Sequence, residues 1–588
     1  MAQTVTEIRT HLEENLSWRF AERDDQAVAQ AVYQGEAVDA VHTLDEVGLL
    51  DGFFAFLEAS GVFTHWRSYT IAGIYRVFLP ALYFLLLYGT RILFGIASSN
   101  ALPELLFSNV AVMQLIGFNA HAVASGLTRR GAAQRSGARP YALLDPQTLA
   151  QSICKTSAAE LARLFNGTIH CLAAWGIFPA EVMAGVDGTE IVTTAKFAGC
   201  GCLKVKQHKR NRQGVWVETF ELVYGWRLIA LIDLVTLIPL AIKIVQIQEH
   251  EAPHLRALVQ QAQENLAPYS RIRTLVVDRA YVDGPTLYRL TQDGLLWYLI
   301  AKANMVARHT AIALSAEGRP VTRQETVTHG HGRDATTATL VSSAVAVTGI
   351  RTWKNYRPPK TEVPRLAWAD RPALNAVVLT QWRNQAPTAD GSPRVILTND
   401  TVTELWRPVD AYDDRSWLEN GLFRNSKQFW TLTRWFPEKS AAGVYAHLTF
   451  VMLMVATATA YRLWDKAQDT APLAPADGHP AAHLACPTPP TVPADAPPLL
   501  GHHLLQGQGP ARWRRELRMR NRDKLIVFSG AHYGIFDTHE FMILAGVPLR
   551  ALPPHLGTPE DILRRFGCLP PDATSTVKVR LTQQDTIP

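Results

Sequence analysis

The chain has 588 residues, of which 47% are hydrophobic and 19% charged, and its net charge of +6 gives a pI near 8.9. This length predicts three to four domains of globular composition, which excludes a fibrous chain or one disordered throughout. The mild positive charge permits a polyanionic partner without requiring one. The six cysteines show no zinc-like spacing and no signal peptide is visible, so we expect reduced thiols in a cytoplasmic protein.

The first 140 residues are expected to form a helical region, with DNA binding as one candidate role. Apolar residues recur there at helical spacing, and the stretch AVDAVHTLDEVGLLDGFFAFLEASGV predicts two short helices. The run from Val77 to Thr90 is shorter than the ~20 apolar residues of a membrane span. A buried helix or helix pair kinked at Pro80 is therefore favoured, and a membrane-associated protein remains an alternative class.

Arginines are concentrated on a background of small residues between Leu127 and Tyr141. They are Arg129, Arg130, Arg135 and Arg139. Guanidinium groups at this spacing can follow a phosphate backbone, but an ordinary solvated loop fits equally well. Two helices follow, predicted from start signals: Asp145 before Pro146, and Thr156 or Ser157 before Glu160.

Acidic residues then end two predicted strands. EVMAGVDGTEIV carries Asp187, and RTLVVDRAYVDG carries Asp278 at the end of its apolar run. Between them lie a hairpin, two buried strands turning near Leu237 and an amphipathic helix. This order predicts an α/β fold with a mixed sheet, in which both acids lie on one rim.

The hairpin between these strands forms a predicted basic arm, CLKVKQHKRNRQGVWVETFELVYG. Its cations are Lys204, Lys206, His208, Lys209, Arg210 and Arg212. Closely spaced lysines and arginines on an exposed hairpin favour contacts with DNA phosphates. We therefore predict that the five lysines and arginines bind DNA.

Residues 306–395 are rich in Thr and Val and predict a β-rich insertion whose last strand, RVILTND, returns to the sheet. The following stretch YDDRSWLENGLFRNSK is predicted to be helical, with Tyr412, Arg415 and Glu419 on one face. A carboxylate beside a cation and a hydroxyl suits a metal-dependent site acting on phosphates. The alternative is a solvated face with a structural ion pair.

The remainder of the chain changes character twice. AAGVYAHLTFVMLMVATATAYRLW predicts a long apolar helix that covers the sheet, and residues 466–510 form a Pro- and Ala-rich linker. Residues 511–588 predict a small basic accessory domain that binds DNA or a second subunit. A solvated basic helix on that domain is an equal alternative.

Several blocks together resemble bacterial insertion-sequence transposases of the DDE type, specifically the group with a Tyr-Arg-Glu-Lys signature. The blocks are VDGT, VVDRAYVDG, LTND and YDDRSWLENGLFRNSKQFW, and the resemblance covers about residues 180 to 465. It implies a ribonuclease H-like catalytic domain interrupted by the β-rich insertion. It also implies that Asp187, Asp278 and Glu419 bind metal, and that Tyr412, Arg415 and Lys427 contact DNA.

One departure concerns the last signature residue. The usual spacing would place the cation at Ser426, whereas the lysine here is Lys427, one residue later. On an α-helix this extra residue rotates the side chain by about 100°. The assignment of Lys427 is weakened more than the family resemblance, because a long lysine side chain can compensate.

The chemistry of the acids agrees with the resemblance. Three carboxylates repel one another unless divalent cations lie between them, and hard oxygen ligands select Mg²⁺ or Mn²⁺. Two ions can support in-line displacement at phosphorus. The expected activity is cut-and-paste transposition, with double-stranded DNA at the terminal inverted repeats and the target as partner, and with a homodimer in the synaptic complex.

Two other functions remain open beside this one, a domesticated or inactive DNA-binding protein and a stand-alone nuclease. The expected location is the bacterial cytoplasm, at the nucleoid, without a membrane. The predicted organisation has six parts: a helical region at 1–140, the first catalytic part at 141–305, the insertion at 306–395, the catalytic completion with Glu419 at 396–465, the linker at 466–510 and the accessory domain at 511–588.

Overall fold

The computed structural model describes most of the chain outside its two ends and one long internal gap. The described residues are 21–45, 47–72, 79–120, 123, 126, 143–210, 214, 216–329, 336–388, 391–470, 510–547 and 558–570. The arginine-rich segment Leu127–Tyr141, most of the Pro-rich linker and Arg212 of the predicted arm lie outside these residues.

A mixed sheet of eleven strands forms the centre of the described structure. Its strands are β3 (Glu181–Thr193), β4 (Gly201–Arg210), β5 (Trp216–Asp233), β6 (Pro239–Gln246), β7 (Arg271–Val277), β8 (Leu296–Ile300), β9 (Val321–His329), β10 (Thr336–Ile350), β11 (Leu374–Arg383), β12 (Ala386–Pro387) and β13 (Arg394–Thr398). Along the main path they run β4, β5, β3, β7, β8, β13, β11, β10 and β9, with β6 beside β5 and β12 beside β11. This mixed α/β architecture is consistent with a ribonuclease H-like transposase domain, as the sequence predicted.

Strand direction follows from the connections. β5 pairs antiparallel with β3, whereas β7 pairs parallel with β3 and β8 parallel with β7. The parallel pairs are joined by helices because a parallel connection must cross the sheet. Those crossovers contain Leu255–Leu266, which contacts β6 and β7, and Gly284–Gln292, which contacts β8.

The predicted insertion does not form a separate sheet. Its last strand, β13, pairs antiparallel with both β8 and β11, so the insertion strands extend the central sheet beyond β8. The return of RVILTND to the sheet is thus confirmed. The arm and the first of the predicted buried strands are also one unit, because β5 runs without interruption through Gly225, whose φ is +156°.

Helices cover the sheet and form a layer before it. They are Asp25–Gln34, Val47–Ala59, Val62–Arg67, Ala81–Leu93, Leu102–Leu105, Val110–Ile116, Pro146–Cys154, Ala158–Ala174, Leu255–Leu266, Gly284–Gln292, Val306–Ser315, Arg407–Asp414, Arg424–Phe429, Ala441–Thr470, Pro510–Arg520, Thr538–Leu544 and Pro559–Arg565. Both predicted start signals are confirmed: the side chains of Asp145 and Ser157 accept hydrogen bonds from the backbone N–H groups of Gln147 and Glu160.

The two ends of the chain share a second sheet of four strands. β1 (Glu22–Arg23) and β2 (Ala40–Thr43) combine with β14 (Lys524–Ser529) and β15 (His532–Asp537) in the order β1, β15, β14, β2. Ala40–Thr43 was expected to be helical, and that prediction is wrong. The physical reason is its pairing with β14, from almost 500 residues away, which the local pattern does not show.

Two apolar helices raised the question of a membrane. Ala81–Leu93 is almost entirely buried, as predicted, but it begins after Pro80, so Pro80 precedes this helix and does not kink it. Ala441–Asp465 is long and apolar enough to cross a membrane by length and composition, but 83% of its apolar window is buried inside the fold. Burial of this kind is typical of the core helix of a globular protein.

Candidate active site

Asp187 and Asp278 lie side by side on neighbouring parallel strands. Val186 of β3 is in register with Val277 of β7, and each acid is the next residue in the chain. Asp278 follows the end of β7, but Asp187 lies inside β3, which continues along β5 to Thr193. The sequence therefore predicted the shared position correctly and the end of β3 wrongly, because β5 extends β3 beyond the last residue of β7.

Arg415 contacts both aspartates, and Tyr412 contacts Asp278. Arg415 Nη1 lies 3.1 Å from Asp187 Oδ2, and its Nη2 lies 3.9 Å from Asp278 Oδ1. The hydroxyl of Tyr412 donates to Asp278 Oδ1 across 3.2 Å, and the guanidinium of Arg415 lies 5.4 Å from the centre of the Tyr412 ring. Four residues that were expected to act together therefore meet, although up to 228 positions of sequence separate them.

Burial controls the charge of this group. It raises the pKa of Asp187 to about 6, and the negative charges of Glu251 and Asp278 add to the rise, whereas Arg415 and the N–H of Gly188 lower it. Burial also raises the pKa of Tyr412, so its hydroxyl stays protonated and remains a donor. The arrangement places one guanidinium between two carboxylates in a partly desolvated site.

Glu419 does not share a regular helix with these residues. The helix Arg407–Asp414 ends before Arg415, and Leu418–Phe423 forms a π-helix. This segment packs on β3 through Leu418, for which Gly185 leaves room: a Cβ atom at position 185 would lie 2.7 Å from Leu418 Cδ1. Glu419 is next in the chain and is exposed, so the predicted common helix face is wrong, although its π-helix contacts β3, the strand that carries Asp187.

The π-helix also changes the expectation for Lys427. A π turn accommodates one residue more than an α turn, which offsets the extra residue between Glu419 and Lys427. The side chain at the usual position, Ser426, is only 1% exposed. Lys427 is half-buried, and burial lowers its pKa while the charges of Glu190 and Glu419 oppose that shift. Lys427 therefore lies in the electrostatic field of Glu419.

The donors suit a divalent cation in part. Asp187 and Asp278 are adjacent oxygen ligands of the kind that Mg²⁺ and Mn²⁺ prefer. Among the residues that the structure describes, no three His, Cys, Asp or Glu side chains are close enough to hold a metal together. Two of the predicted ligands therefore form a pair, and Glu419 would have to turn inward to join them.

Glu251 and Tyr281 lie near Asp187, Arg227 pairs with Glu251, and none of the three was predicted. Glu251 follows β6 and lies against Gly188, Arg227 of β5 makes a 3.4 Å ion pair with Glu251, and Tyr281 is fully buried. Burial raises the pKa of Tyr281, and the negative charges of Glu251 and Asp187 raise it further. The sequence gives no indication of a role for Glu251, which lies in the polar stretch QEHEAPH. Tyr281 could have been identified as a candidate, because it lies three residues after Asp278.

The basic arm is an exposed two-stranded ribbon. β4 and β5 pair from Gly201 with Gly225 to Arg210 with Trp216, and Lys204, Lys206 and Arg210 are exposed. Lys204 lies 4.2 Å from the centre of the Phe220 ring, and Arg210 lies 5.2 Å from that of Trp216. The alternation of aromatic and polar residues along β5 was the signal for these exposed rings. The side chain of Lys209 is outside the described set.

Comparison with known families gives one finding that bears on this site. Residues 186–384 match the model of the family described as the transposase DDE domain, roughly a third of the chain. Asp187 and Asp278 lie within the matched residues, whereas Glu419 lies beyond them. No curated protein matches the chain. The family match supports a DDE transposase, with the divalent-metal dependence and DNA binding that such enzymes generally have.

Proposed function

We propose that this chain is a cut-and-paste DNA transposase of the Tyr-Arg-Glu-Lys group, which cleaves the ends of its own insertion sequence and joins the freed 3′ ends to target DNA. One observation carries this proposal. Asp187 and Asp278 lie in register on parallel strands and both contact Arg415, one of the signature residues. The segment that supplies Arg415 continues directly into Glu419.

The acids have the role of metal ligands in this proposal. Asp187, Asp278 and Glu419 would hold two Mg²⁺ or Mn²⁺ ions, with Glu419 swinging inward from its exposed position. Bound there, such ions supply activation of water or of a 3′ hydroxyl and charge neutralisation at the leaving oxygen. The protein itself then has to hold the scissile phosphate in line with the attacking oxygen and prevent reaction at other phosphates.

The cations and the hydroxyl of the signature would bind the DNA backbone. Arg415 now pairs with the aspartates, and in the DNA complex it exchanges that contact for a phosphate, which its planar fork fits well. Tyr412 donates a hydrogen bond from its protonated hydroxyl, and Lys427 adds positive charge beside Glu419. Tyr412 is a contact residue in this scheme and not a covalent nucleophile.

The basic arm would bind DNA away from the reacting phosphate. Its exposed cations, Lys204, Lys206 and Arg210, lie beside exposed aromatic rings, a combination that binds backbone and bases. Lys209 and Arg212 belong to the same proposed surface. The protein would act on terminal inverted repeats and target DNA as a homodimer in the bacterial cytoplasm, at the nucleoid.

The proposal is tested by cleavage of labelled DNA that carries the native element ends. Wild type and Glu419→Gln are compared with Mg²⁺ and with EDTA, and Glu317→Gln, at an exposed acid after the helix Val306–Ser315, is the matched control. We expect boundary cleavage that needs both the metal and Glu419, and that is unaffected in Glu317→Gln. The joining of 3′ ends to a target plasmid is the second readout.

The other outcomes separate the alternatives. Specific binding of the ends without cleavage in Mg²⁺ or Mn²⁺ would identify an inactive or domesticated DNA-binding protein. Cleavage without joining would identify a stand-alone nuclease. Cleavage that persists in Glu419→Gln would remove Glu419 from the proposed metal ligands.

A further inference from the structure

The helix Pro510–Arg520 and the turn after it carry much of the positive charge of the C-terminal region. Between Pro510 and Lys524 there are seven lysines and arginines and two acids. The sequence left open whether this segment binds a partner or is an ordinary solvated face. The placement of its arginines on the folded helix favours a partner.

One face of this helix is fixed against the rest of the fold. Trp513, Leu517 and Asn521 recur every four residues, and all three are buried. Trp513 packs on Tyr461 with ring centres 5.8 Å apart, and the side chain of Asn521 lies against Gly48. The helix therefore cannot turn about its axis, and its other side chains are held in fixed directions.

Arginines lie on the opposite side. Arg515 and Arg518 are on the exposed side of the helix, and Arg522 follows in the turn after it. All three are exposed, and we call them the basic stripe. Among the described residues, Arg515 and Arg522 have no ion-pair partner and no side-chain hydrogen bond. Their positive charge is therefore available to a ligand.

The other charged residues of the helix are engaged within the fold. Arg512 pairs with Glu516 at 3.1 Å, and Arg520 pairs with Asp465 at 3.5 Å. Arg514 is half-buried and lies over an aromatic ring. The basic stripe is therefore the main source of uncompensated positive charge on this helix.

An open cleft continues the surface beside the basic stripe. Its volume is about 570 Å³, and Arg518 lines it together with Thr43, Asp45 and Ser108. The Asp45 carboxylate accepts a hydrogen bond from the Thr43 hydroxyl across 2.7 Å. The polar surface thus extends from the C-terminal helix onto the N-terminal region, which suits an extended polyanion better than a single small anion.

The chemistry of the basic stripe fits the backbone of double-stranded DNA. Guanidinium groups bind phosphates as planar forks, and several together fit a ligand with regularly repeated negative charge. The apolar face of the helix is already buried through Trp513 and Leu517, so the helix cannot lie in a membrane surface. Among the described residues of the helix, the exposed ones include no amide or aromatic side chain, so the contact would not read base sequence.

The basic stripe is remote from the proposed active site. Tyr461, on which Trp513 packs, lies 20 residues after the start of the helix Ala441–Thr470, which is about 30 Å along its axis. That start adjoins the base of the basic arm, because Ser440 forms a β-bridge with Ala198. A duplex that contacts both places would span about nine base pairs, at roughly 3.4 Å for each.

We propose that the basic stripe of Arg515, Arg518 and Arg522 is a second binding surface for the phosphate backbone of double-stranded DNA. It holds a duplex at a distance from the reacting phosphate and irrespective of sequence. This inference rests on the proposed function, because it takes DNA as the substrate. It gives the C-terminal segment a role besides completing the four-stranded sheet that both ends of the chain share.

The test measures DNA binding by the full-length protein at several salt concentrations. Fluorescence anisotropy compares wild type with the double variant Arg515→Gln and Arg522→Gln, on an element-end duplex and on a duplex of scrambled sequence. We expect the slope of log affinity against log salt to fall by about 2 on both duplexes, as for two lost phosphate contacts. The double change Arg515→Lys and Arg522→Lys keeps both charges and should keep the slope.

The control combines Arg271→Gln and Arg273→Gln. Both are exposed arginines at the start of β7, the end of that strand remote from Asp278, and we expect their loss to leave the slope unchanged. An unchanged slope in the Gln variant of the basic stripe, or an equal loss in the control, would overturn the proposal and leave a solvated basic helix.

Circular dichroism checks that each variant is folded. If the double Gln variant does not fold, the single variants Arg515→Gln and Arg522→Gln decide the question, each with an expected fall in slope of about 1. Sedimentation velocity separates DNA from a second subunit as the partner. A variant that loses a dimer while it keeps the salt slope would overturn the proposal and assign the basic stripe to a second copy of the chain.

The failure of this inference and that of the proposed function are distinguishable. Boundary cleavage of element DNA together with an unchanged salt slope refutes the second DNA surface and retains the transposase. A reduced slope together with a wild type that does not cleave element ends supports the second DNA surface and refutes the proposed reaction.

Discussion

Arg415 donates a hydrogen bond from Nη1 to Oδ2 of Asp187 across 3.1 Å, although 228 positions separate the two residues in the chain. Its Nη2 is 3.9 Å from Asp278, so one guanidinium adjoins both of the paired aspartates. A divalent cation would use the same carboxylate oxygens. Arg415 and such a cation therefore compete for these two acids.

Replacing Arg415 should separate cation binding from DNA binding. In Arg415→Gln the competing positive charge is lost, so we expect Mn²⁺ affinity to increase several-fold while affinity for element-end DNA decreases. The measurements are Mn²⁺ titration and fluorescence anisotropy of labelled DNA. Arg394→Gln is the control, because Arg394 pairs with Asp413 of the helix Arg407–Asp414 and not with Asp187 or Asp278. Weaker Mn²⁺ binding in Arg415→Gln would refute the competition.

Asp187 should make the stability of the fold depend on pH. Its pKa is raised by burial to about 6, above the value of 3.8 for an unperturbed Asp, so the folded protein binds the proton more tightly than the unfolded chain does. The resulting stabilisation is complete below about pH 4 and is lost as pH rises through 6. The cost of ionised Asp187 at neutral pH is about 2–3 kcal/mol.

Asp187→Asn removes this cost. We expect the variant to melt at a higher temperature than wild type at pH 7.5, and this advantage should shrink or disappear at pH 4. Thermal unfolding of both proteins at the two pH values is the measurement, without added divalent metal. A difference in melting temperature that is the same at both pH values would show that Asp187 does not titrate in this range.

Lys427 should contribute one charge to DNA binding. Lys427→Gln is expected to lower affinity for element-end DNA and to reduce the slope of log affinity against log salt by about 1, as for the loss of one phosphate contact. Arg424→Gln is the matched control, an exposed cation on the same short helix, Arg424–Phe429. Equal slopes for wild type and Lys427→Gln would exclude Lys427 as a phosphate contact.

We expect the basic arm to bind DNA through cations that lie over its aromatic rings. The double change Lys204→Gln and Arg210→Gln is expected to reduce the salt slope by about 2 and to weaken binding of any duplex, whatever its sequence. The control combines Lys243→Gln and Lys302→Gln, two exposed lysines outside the arm. An equal loss in both double variants would indicate a general charge effect and no special role for the arm.

The C-terminal segment should be needed for a stable fold. Trp513 is 4% exposed and packs against Tyr461 with ring centres 5.8 Å apart, so Trp513→Ala should lower the free energy of unfolding by about 3–5 kcal/mol. Met519→Ala on the same helix is the control, because Met519 is 66% exposed and should change little. The measurement is thermal unfolding. A melting temperature of Trp513→Ala equal to that of wild type would show that the C-terminal segment contributes little to the stability of the fold.

The sequence by itself determined the features that depend on near neighbours. Hydrophobic runs ending in an acid located Asp187 and Asp278, side-chain caps located the helix starts at Asp145 and Ser157, and a concentration of lysines and arginines located the basic arm. These features are set by backbone geometry and by hydrogen bonds within a few residues, so the local pattern is sufficient to predict them.

Only the tertiary structure decided the features that depend on distant parts of the chain. Ala40–Thr43 becomes a strand because β14 pairs with it, and the predicted helix at Glu419 becomes a π-helix that packs through Leu418 on β3. Glu251 packs against β3 because Gly188 leaves space for it. Such contacts depend on packing between elements remote in sequence, and no local periodicity records which distant residue will fill a given space.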